Sequence, residues 1–136
     1  MDEDEAAVAG LRLAAEQRWI EYARELVGAG TLLGAPEFAA RLRWGDRALN
    51  HALAVNRVFF VDCQGVHLFP AFYADPQYRR QQLEAVSRTL GALPGGSKWQ
   101  FFTSLKGSLG GCTPLEALAR GEFSLVKMAA EGFANR

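Results

Sequence analysis

Histidine and cysteine, the residues that most often carry catalysis or bind metal, are scarce in this chain. There are two histidines, His51 and His67, and two cysteines, Cys63 and Cys112. Their spacing does not match a zinc site, and the sequence signatures of metalloproteases, serine hydrolases and Walker phosphate loops do not occur. The sequence therefore predicts a non-enzymatic protein without a cofactor or a bound metal.

A glycine-rich segment at residues 106–111 is the nearest approach to a phosphate-binding loop. No strong strand precedes it, and no Gly-Lys-Ser/Thr motif follows it. Residues 113–116, Thr-Pro-Leu-Glu, form a capping box with proline at the first helical position. We therefore interpret the glycines as a tight connection into a helix.

Basic and amide side chains are concentrated between residues 36 and 57, where two short helices are predicted. Pro36 suits a first helical turn, and Asp46 can cap a second helix over residues 47–55. A recognition helix must be short, held by a partner helix and polar on its outer face. An ordinary helical hairpin with a solvated face is the alternative. The residues expected to contact DNA are Arg47, Asn50, His51 and Arg57, with Arg41 and Arg43 on phosphates.

A long helix over residues 6–28 precedes this unit. One apolar face favours packing on the core. A second apolar row, seven residues apart, favours a dimer helix instead. The core-facing residues would be Val8, Leu11, Ala15, Trp19, Tyr22 and Leu26, whereas the dimer contacts would be Leu13, Trp19, Ile20 and Val27.

A β-hairpin and several short helices complete the predicted fold. Two β-type runs, 58–61 and 66–69, are joined by a turn at 62–65. Later helices should run from a cap at Asp75 to Leu90, after Ser97, after Thr113 and over 122–131. The predicted fold class is mainly α with one small β-hairpin (α+β). A winged helix-turn-helix-like unit (31–72) is followed by a C-terminal helical bundle (75–136), within a single compact unit (1–136).

Composition and charge limit the class of protein. The 136 residues are 49% apolar and 22% charged, which is typical of one ordinary globular domain. The acidic start lacks the positive charge of a leader peptide, so we expect a cytoplasmic protein with reduced cysteines and no membrane partner. Net charge is zero, but the four acids at residues 2–5 leave an excess of four positive charges in the rest. An anionic partner is therefore compatible with this chain.

From about residue 30 onward, the chain resembles bacterial antitoxins of the Xre/MbcA/ParS group. Residues 32–53 resemble their helix-turn-helix, residues 65–72 the wing, and residues 109–118, with Leu-Gly-Gly-x-Thr-Pro-Leu, the toxin-binding region. The resemblance implies transcription regulation, DNA contact and a cognate toxin as partner. The long helix outside the resemblance leads us to expect a homodimer, which would present two such units. The partner-binding residues it implies are Trp99, Phe101, Lys106, Leu109, Gly110, Gly111 and Thr113. Phe101 and Phe102 are neighbours and cannot both face inward on a regular helix, so we expect one of them to face outward.

Two other hypotheses remain open. The first is a homo-oligomeric interaction module without DNA binding, which the weak basic excess favours. Two departures from the usual helix-turn-helix pattern also favour it: Arg43 stands where glycine is common, and Gly45 stands where a Ser or Thr cap is common. The second is a small-molecule binding protein or an enzyme of unrecognised type. Its pocket would be lined by Trp44, Phe59, Phe69, Phe72 and Tyr73.

Overall fold

Residues 2–136, which the computed structural model describes, form seven α-helices and three short strands. In chain order these are α1 (Glu3–Gly28), β1 (Leu32–Gly34), α2 (Ala35–Leu42), α3 (Asp46–Ala54), β2 (Val61–Cys63), β3 (Val66–Pro70), α4 (Arg80–Leu90), α5 (Gly95–Thr103), α6 (Pro114–Ala119) and α7 (Phe123–Ala134). Two 3₁₀ turns, Ala71–Ala74 and Gly107–Leu109, connect them. The prediction of a mainly helical fold with a small antiparallel β element is confirmed.

The sheet has three strands rather than the two of the predicted hairpin. Its order is β1-β3-β2, and both pairings are antiparallel. The two-residue turn between β2 and β3 places Gln64 and Gly65 at positive φ, 52° and 80°, which is the geometry of a hairpin turn. The first predicted strand was wrong in its bounds, because β2 begins at Val61. Strand β1 is too short for alternation to reveal it.

Helix α1 is attached to the body by its C-terminal third alone. Ile20 and Ala23 are buried, Trp19 and Leu26 pack beside them, and every residue from 2 to 18 is exposed. The interpretation that placed Val8, Leu11 and Ala15 against the core was therefore wrong. Its apolar periodicity identified a face, but no element among residues 2–136 covers the first 16 helical residues.

Several helix bounds differ from the predicted ones, and at Asp75 the reason is a local turn that competes with the helix cap. Asp75 accepts a hydrogen bond from the Gln77 backbone N–H (3.0 Å) and closes a turn, so α4 begins only at Arg80. Gly45, not Asp46, is the N-cap of α3. Helix α5 begins two residues before Ser97. In α7, the helix continues past Gly132, where an end was predicted.

One connected core extends from α1 to α7, and it encloses α5 on more than one side. Phe102 stacks against Phe59 with ring centroids 6.0 Å apart, and Phe101 contacts Phe133 at 5.3 Å. Both neighbours in the Phe101-Phe102 pair are thus buried, contrary to the expectation that one would face outward. Four of the five aromatics proposed to line a ligand pocket belong to this core: Phe59, Phe69, Phe72 and Tyr73.

Among residues 2–136, no helix combines the length and the apolar character that crossing a bilayer requires.

Candidate nucleic-acid interface

The turn between α2 and α3 is made by a short left-handed step in the backbone. Arg43 has φ 58°, and its backbone N–H donates to the Ala40 carbonyl at 3.2 Å. The Trp44 N–H donates to the Ala39 carbonyl at 2.9 Å, which completes the end of α2. The chain then enters α3 after three residues, so α2 and α3 are joined by a tight turn as predicted.

Helix α3 separates its apolar and polar sides as an interface helix requires. Leu49 and Ala52 are buried, whereas Arg47, Asn50 and His51 are exposed. The three outward residues lie within two turns of one another because they are spaced by three and one positions. Side chains of these types can donate to phosphates or read base edges.

Trp44 lies at the centre of a group of arginines. Its indole ring is half-buried and meets the Phe38 ring edge-on at 6.4 Å. The guanidinium carbons of Arg57 and Arg80 lie 5.5 and 5.4 Å from the Trp44 ring centroid. Cation–π attraction therefore holds two arginines from distant parts of the chain around one side chain.

One buried carboxylate serves both of these arginines. Arg57 donates from Nε to Glu84 Oε1 at 3.0 Å and from Nη2 to Oε2 at 3.4 Å. Arg80 Nε lies 3.5 Å from Glu84 Oε2. Because two guanidiniums share a single negative charge, the group keeps a net positive charge. Arg57 was expected to contact DNA, but this pairing gives it a positioning role between the end of α3 and α4.

The other predicted arginines differ in whether a carboxylate pairs with them. Arg41 pairs with Glu37 within α2, with Nη2–Oε1 at 2.9 Å, so its charge is partly neutralised. Arg43 and Arg47 are exposed and make no ion pair with any residue of 2–136. The arginine surface is defined here as Arg43, Trp44, Arg47, Arg57 and Arg80.

Sequence reasoning missed Arg80 and Glu84. Glu84 lies 27 positions after Arg57, and nothing in the local pattern of α4 links the two. The available signal was a glutamate at an otherwise inward position, between the buried Leu83 and Val86. A charged residue there needs a partner.

The residues expected to bind a protein partner are divided between core and surface. Trp99, Phe101 and Leu109 are buried, so they close the core and are not available to a partner; that part of the prediction was wrong. Large apolar residues were selected there by type, and type favours burial. The exposed apolar side chains of the same region are others: Leu105, Leu125 and Met128.

The glycine-rich segment forms a closed loop. The Lys106 N–H donates to the Cys112 carbonyl and the Gly111 N–H to the Lys106 carbonyl, both at 2.9 Å. Gly110 and Gly111 have positive φ and are exposed. Lys106 is half-buried, with Nζ 4.9 Å from the Phe133 ring centroid. The loop thus functions as a connection into α6, as the sequence predicted.

The predicted capping box at the start of α6 is present. Thr113 Oγ1 accepts from the Glu116 N–H at 3.1 Å, and the Thr113 N–H donates to Glu116 Oε1 at 3.0 Å. Thr113 is therefore occupied in fixing the helix start. Its predicted contact with a partner would have to coexist with this cap.

The residues proposed for dimerisation do not form one surface. Ile20 is buried in the core, and Trp19 donates from Nε1 to the Asp62 carbonyl at 2.9 Å. Leu13 and Val27 are exposed. Because its central members hold α1 to its own sheet, this row cannot pair with a second copy as predicted.

Candidate ligands for a metal do not come together. Within residues 2–136, no group of three or more His, Cys, Asp and Glu side chains is placed to hold one ion. Both cysteines are free thiols.

Comparison with known proteins gives no relative from which a family or a function could be transferred. No protein-family model matches the chain, and neither a curated protein nor a solved structure shows significant similarity to it.

Proposed function

We propose that this protein is a non-enzymatic DNA-binding regulator, antitoxin-like in organisation, that holds the phosphate backbone with its arginine surface. The observation that carries the proposal is the arginine surface, in which Arg57 and Arg80 lie against the Trp44 ring and the exposed Arg43 and Arg47 are close to Trp44 in the chain. Arg43 and Arg47 lack ion-pair partners among residues 2–136, and Arg57 and Arg80 share the single carboxylate of Glu84. A polyanion is the partner that such a surface attracts.

Asn50 and His51 give this surface groups that could distinguish bases. Both are exposed on α3, one turn after Arg47. Phosphate contacts set position and affinity, whereas base contacts set sequence preference. The proposal therefore assigns affinity to Arg43, Arg47 and Arg80 and preference to Asn50 and His51.

Binding to a random duplex DNA pool at low and moderate salt tests the proposal. Two or three phosphate contacts predict a loss of roughly 10- to 40-fold in affinity over a fourfold rise in salt, since each contact adds a slope of about −0.9. R43A/R47A should bind at least about tenfold more weakly, with a shallower salt dependence.

Two further variants separate the effect of total protein charge on DNA affinity from the effect of the proposed site. K127A/R136A removes the same charge near the end of the chain and should bind as the wild type does. N50A should lose sequence preference after site selection but keep the salt slope. The proposal fails if the folded wild type does not bind at low salt, or if both double variants lose affinity equally.

We also propose that the exposed part of α1 pairs two copies, which would present two arginine surfaces. An isolated helix of this length is marginal in water, yet residues 3–18 are all exposed. Val8, Leu11 and Ala15 form an apolar stripe about 10 Å long in the middle of about 24 Å of exposed helix. In an antiparallel pair centred on Leu11, the acids at residues 2–5 would lie beside Arg18 of the second copy.

Two matched substitutions on α1 test this pairing. L11E places a charge in the stripe and should shift the protein from dimer to monomer in sedimentation equilibrium. L13E places the same charge on the opposite side of the helix and should leave the dimer intact. A monomeric wild type, or equal effects of the two substitutions, would exclude the stripe as the interface.

A protein partner of the toxin type would meet the exposed apolar residues of α7. Leu125 and Met128 are one turn apart, and both are exposed. L125S/M128S should abolish co-purification with one identified partner, whereas K127A, on the same helix, should retain it. Retention of that partner by L125S/M128S would exclude this surface.

A further inference from the structure

A small pocket lies between the end of α3, the extended segment 58–60 and the start of α5. Its volume is about 190 Å³, and its walls are mainly apolar, with Leu53, Val58 and Leu93 among them. The one cationic side chain that lines it is Lys98. This pocket, called the Lys98 pocket below, belongs neither to the arginine surface nor to α1.

A close backbone contact fixes Lys98 in this position. At Gly95, a Cβ atom would stand 1.8 Å from the Phe60 carbonyl oxygen, so only glycine lets the first turn of α5 approach segment 58–60. The Lys98 N–H donates to the Pro94 carbonyl at 3.1 Å, in the first turn of the helix. Lys98 therefore lies against the segment that forms the opposite wall of the pocket.

Lys98 is a largely buried residue, and its ammonium has no counter-ion in the part of the chain that the structure describes. The residue is 3% exposed, and its Nζ lies 6.0 Å from the Phe59 ring centroid. Among residues 2–136, no carboxylate lies within ion-pair distance of it. Burial lowers the pKa of the Lys98 ammonium. Withdrawing an unpaired charge even partly from water costs free energy, and a bound anion would offset that cost.

The two other lysines of the chain are placed differently. Lys127 is exposed, and Lys106 is half-buried at the surface of the Phe101 and Phe133 rings. Lys98 alone combines burial with an adjoining apolar pocket. Its surroundings supply an apolar wall and one positive charge.

We propose that the Lys98 pocket binds a small carboxylate with an apolar body about the size of one ring, the carboxylate pairing with the Lys98 ammonium. An apolar cavity of about 150 Å³ holds benzene, so a volume of this order suits such a body. The pocket is smaller than those that bind drug-sized ligands, which start near about 300 Å³. The proposal is independent of DNA binding.

Titration of the whole protein with benzoate, followed by amide ¹H–¹⁵N NMR, tests it. Saturable chemical-shift changes should centre on the amides of residues 53–60 and 93–98, with a Kd for benzoate of about 1 mM. Benzyl alcohol has the same ring without the charge and should bind at least about tenfold more weakly. K98M keeps the length of the side chain and should lose benzoate binding by a similar factor, whereas K127M should not.

A second variant covers the case in which K98M does not fold. L93F retains the cation but fills the pocket with a larger side chain, so it should also lose benzoate binding. The proposal is overturned if benzoate shifts no pocket residue, if the shifts centre on the arginine surface, or if benzyl alcohol binds as tightly as benzoate. Unchanged benzoate affinity in a folded K98M or L93F would overturn it as well.

Discussion

The arginine surface and the segment 98–113 surround their cations with different groups. At the arginine surface, Arg57 and Arg80 share the Glu84 carboxylate and lie against Trp44, and further arginines stand free beside them. In segment 98–113, Lys98 and Lys106 face phenylalanine rings, with no carboxylate in ion-pair contact among residues 2–136.

This difference separates two kinds of positive charge. A buried carboxylate orients guanidiniums at the protein surface, where an extended polyanion can reach them. An apolar surrounding partly withdraws an ammonium from water, so that pairing with a small anion that has an apolar body becomes favourable. The first arrangement supports recognition of a nucleic acid, and the second supports binding of a small molecule.

The largest effect should come from truncating a ring in segment 98–113. F101A removes a fully buried side chain that contacts Phe102 and Phe133, and we expect a loss of about 3–5 kcal/mol in the free energy of unfolding. Denaturant unfolding measures it. M128A, at an exposed apolar position, should change the value by less than about 0.5 kcal/mol. Equal effects of the two variants would mean that Phe101 faces outward.

Phe101 also shows where sequence reasoning ends in this chain. The predicted outward face of α3 is exposed, because Arg47, Asn50 and His51 are polar types and polar side chains favour water. For the C-terminal contacts the same logic failed, because aromatic type favours burial whether or not a partner exists. The enclosure of α5 on several sides depends on elements distant in the chain, and no local pattern predicts it.

Other features were missed because they depend on distant parts of the chain. The capping box at Thr113 is local and was predicted correctly. The pairing of Arg57 with Glu84 spans 27 positions and has no local signal. Helix α1 was predicted from its periodicity, but periodicity identifies an apolar face without indicating what covers it.

The carboxylate at the arginine surface should show the next largest effect. E84Q keeps the shape of the side chain but leaves Arg57 and Arg80 without their counter-charge, which should cost about 1.5–3 kcal/mol of unfolding free energy. E37Q is the matched control, because its pair with Arg41 is exposed and should contribute at most about 0.5 kcal/mol. If E84Q is no more destabilising than E37Q, Glu84 does not organise the surface.

The cap that ends segment 98–113 should contribute less. T113A removes the Oγ1 acceptor of the Glu116 N–H, which should cost about 1 kcal/mol in the free energy of unfolding. T113S retains the hydroxyl and should stay close to the wild type. An equal loss in T113S and T113A would mean that the threonine methyl group, not the cap, carries the effect.

The smallest expected effect is a pH dependence of the free energy of unfolding, which arises from Glu116, the second member of the same capping box. The pKa of Glu116 is lowered, chiefly because the Thr113 backbone N–H donates to its carboxylate, and the Thr113 side chain adds to this. Because the folded-state pKa lies below the unfolded one, the stabilisation is present above the unfolded value, about 4.3, and is lost as pH falls through the folded value. The difference in unfolding free energy between wild type and E116Q should therefore shrink on acidification from pH 6 toward about pH 3. A difference that does not change with pH would mean that the cap does not depend on the charge of Glu116.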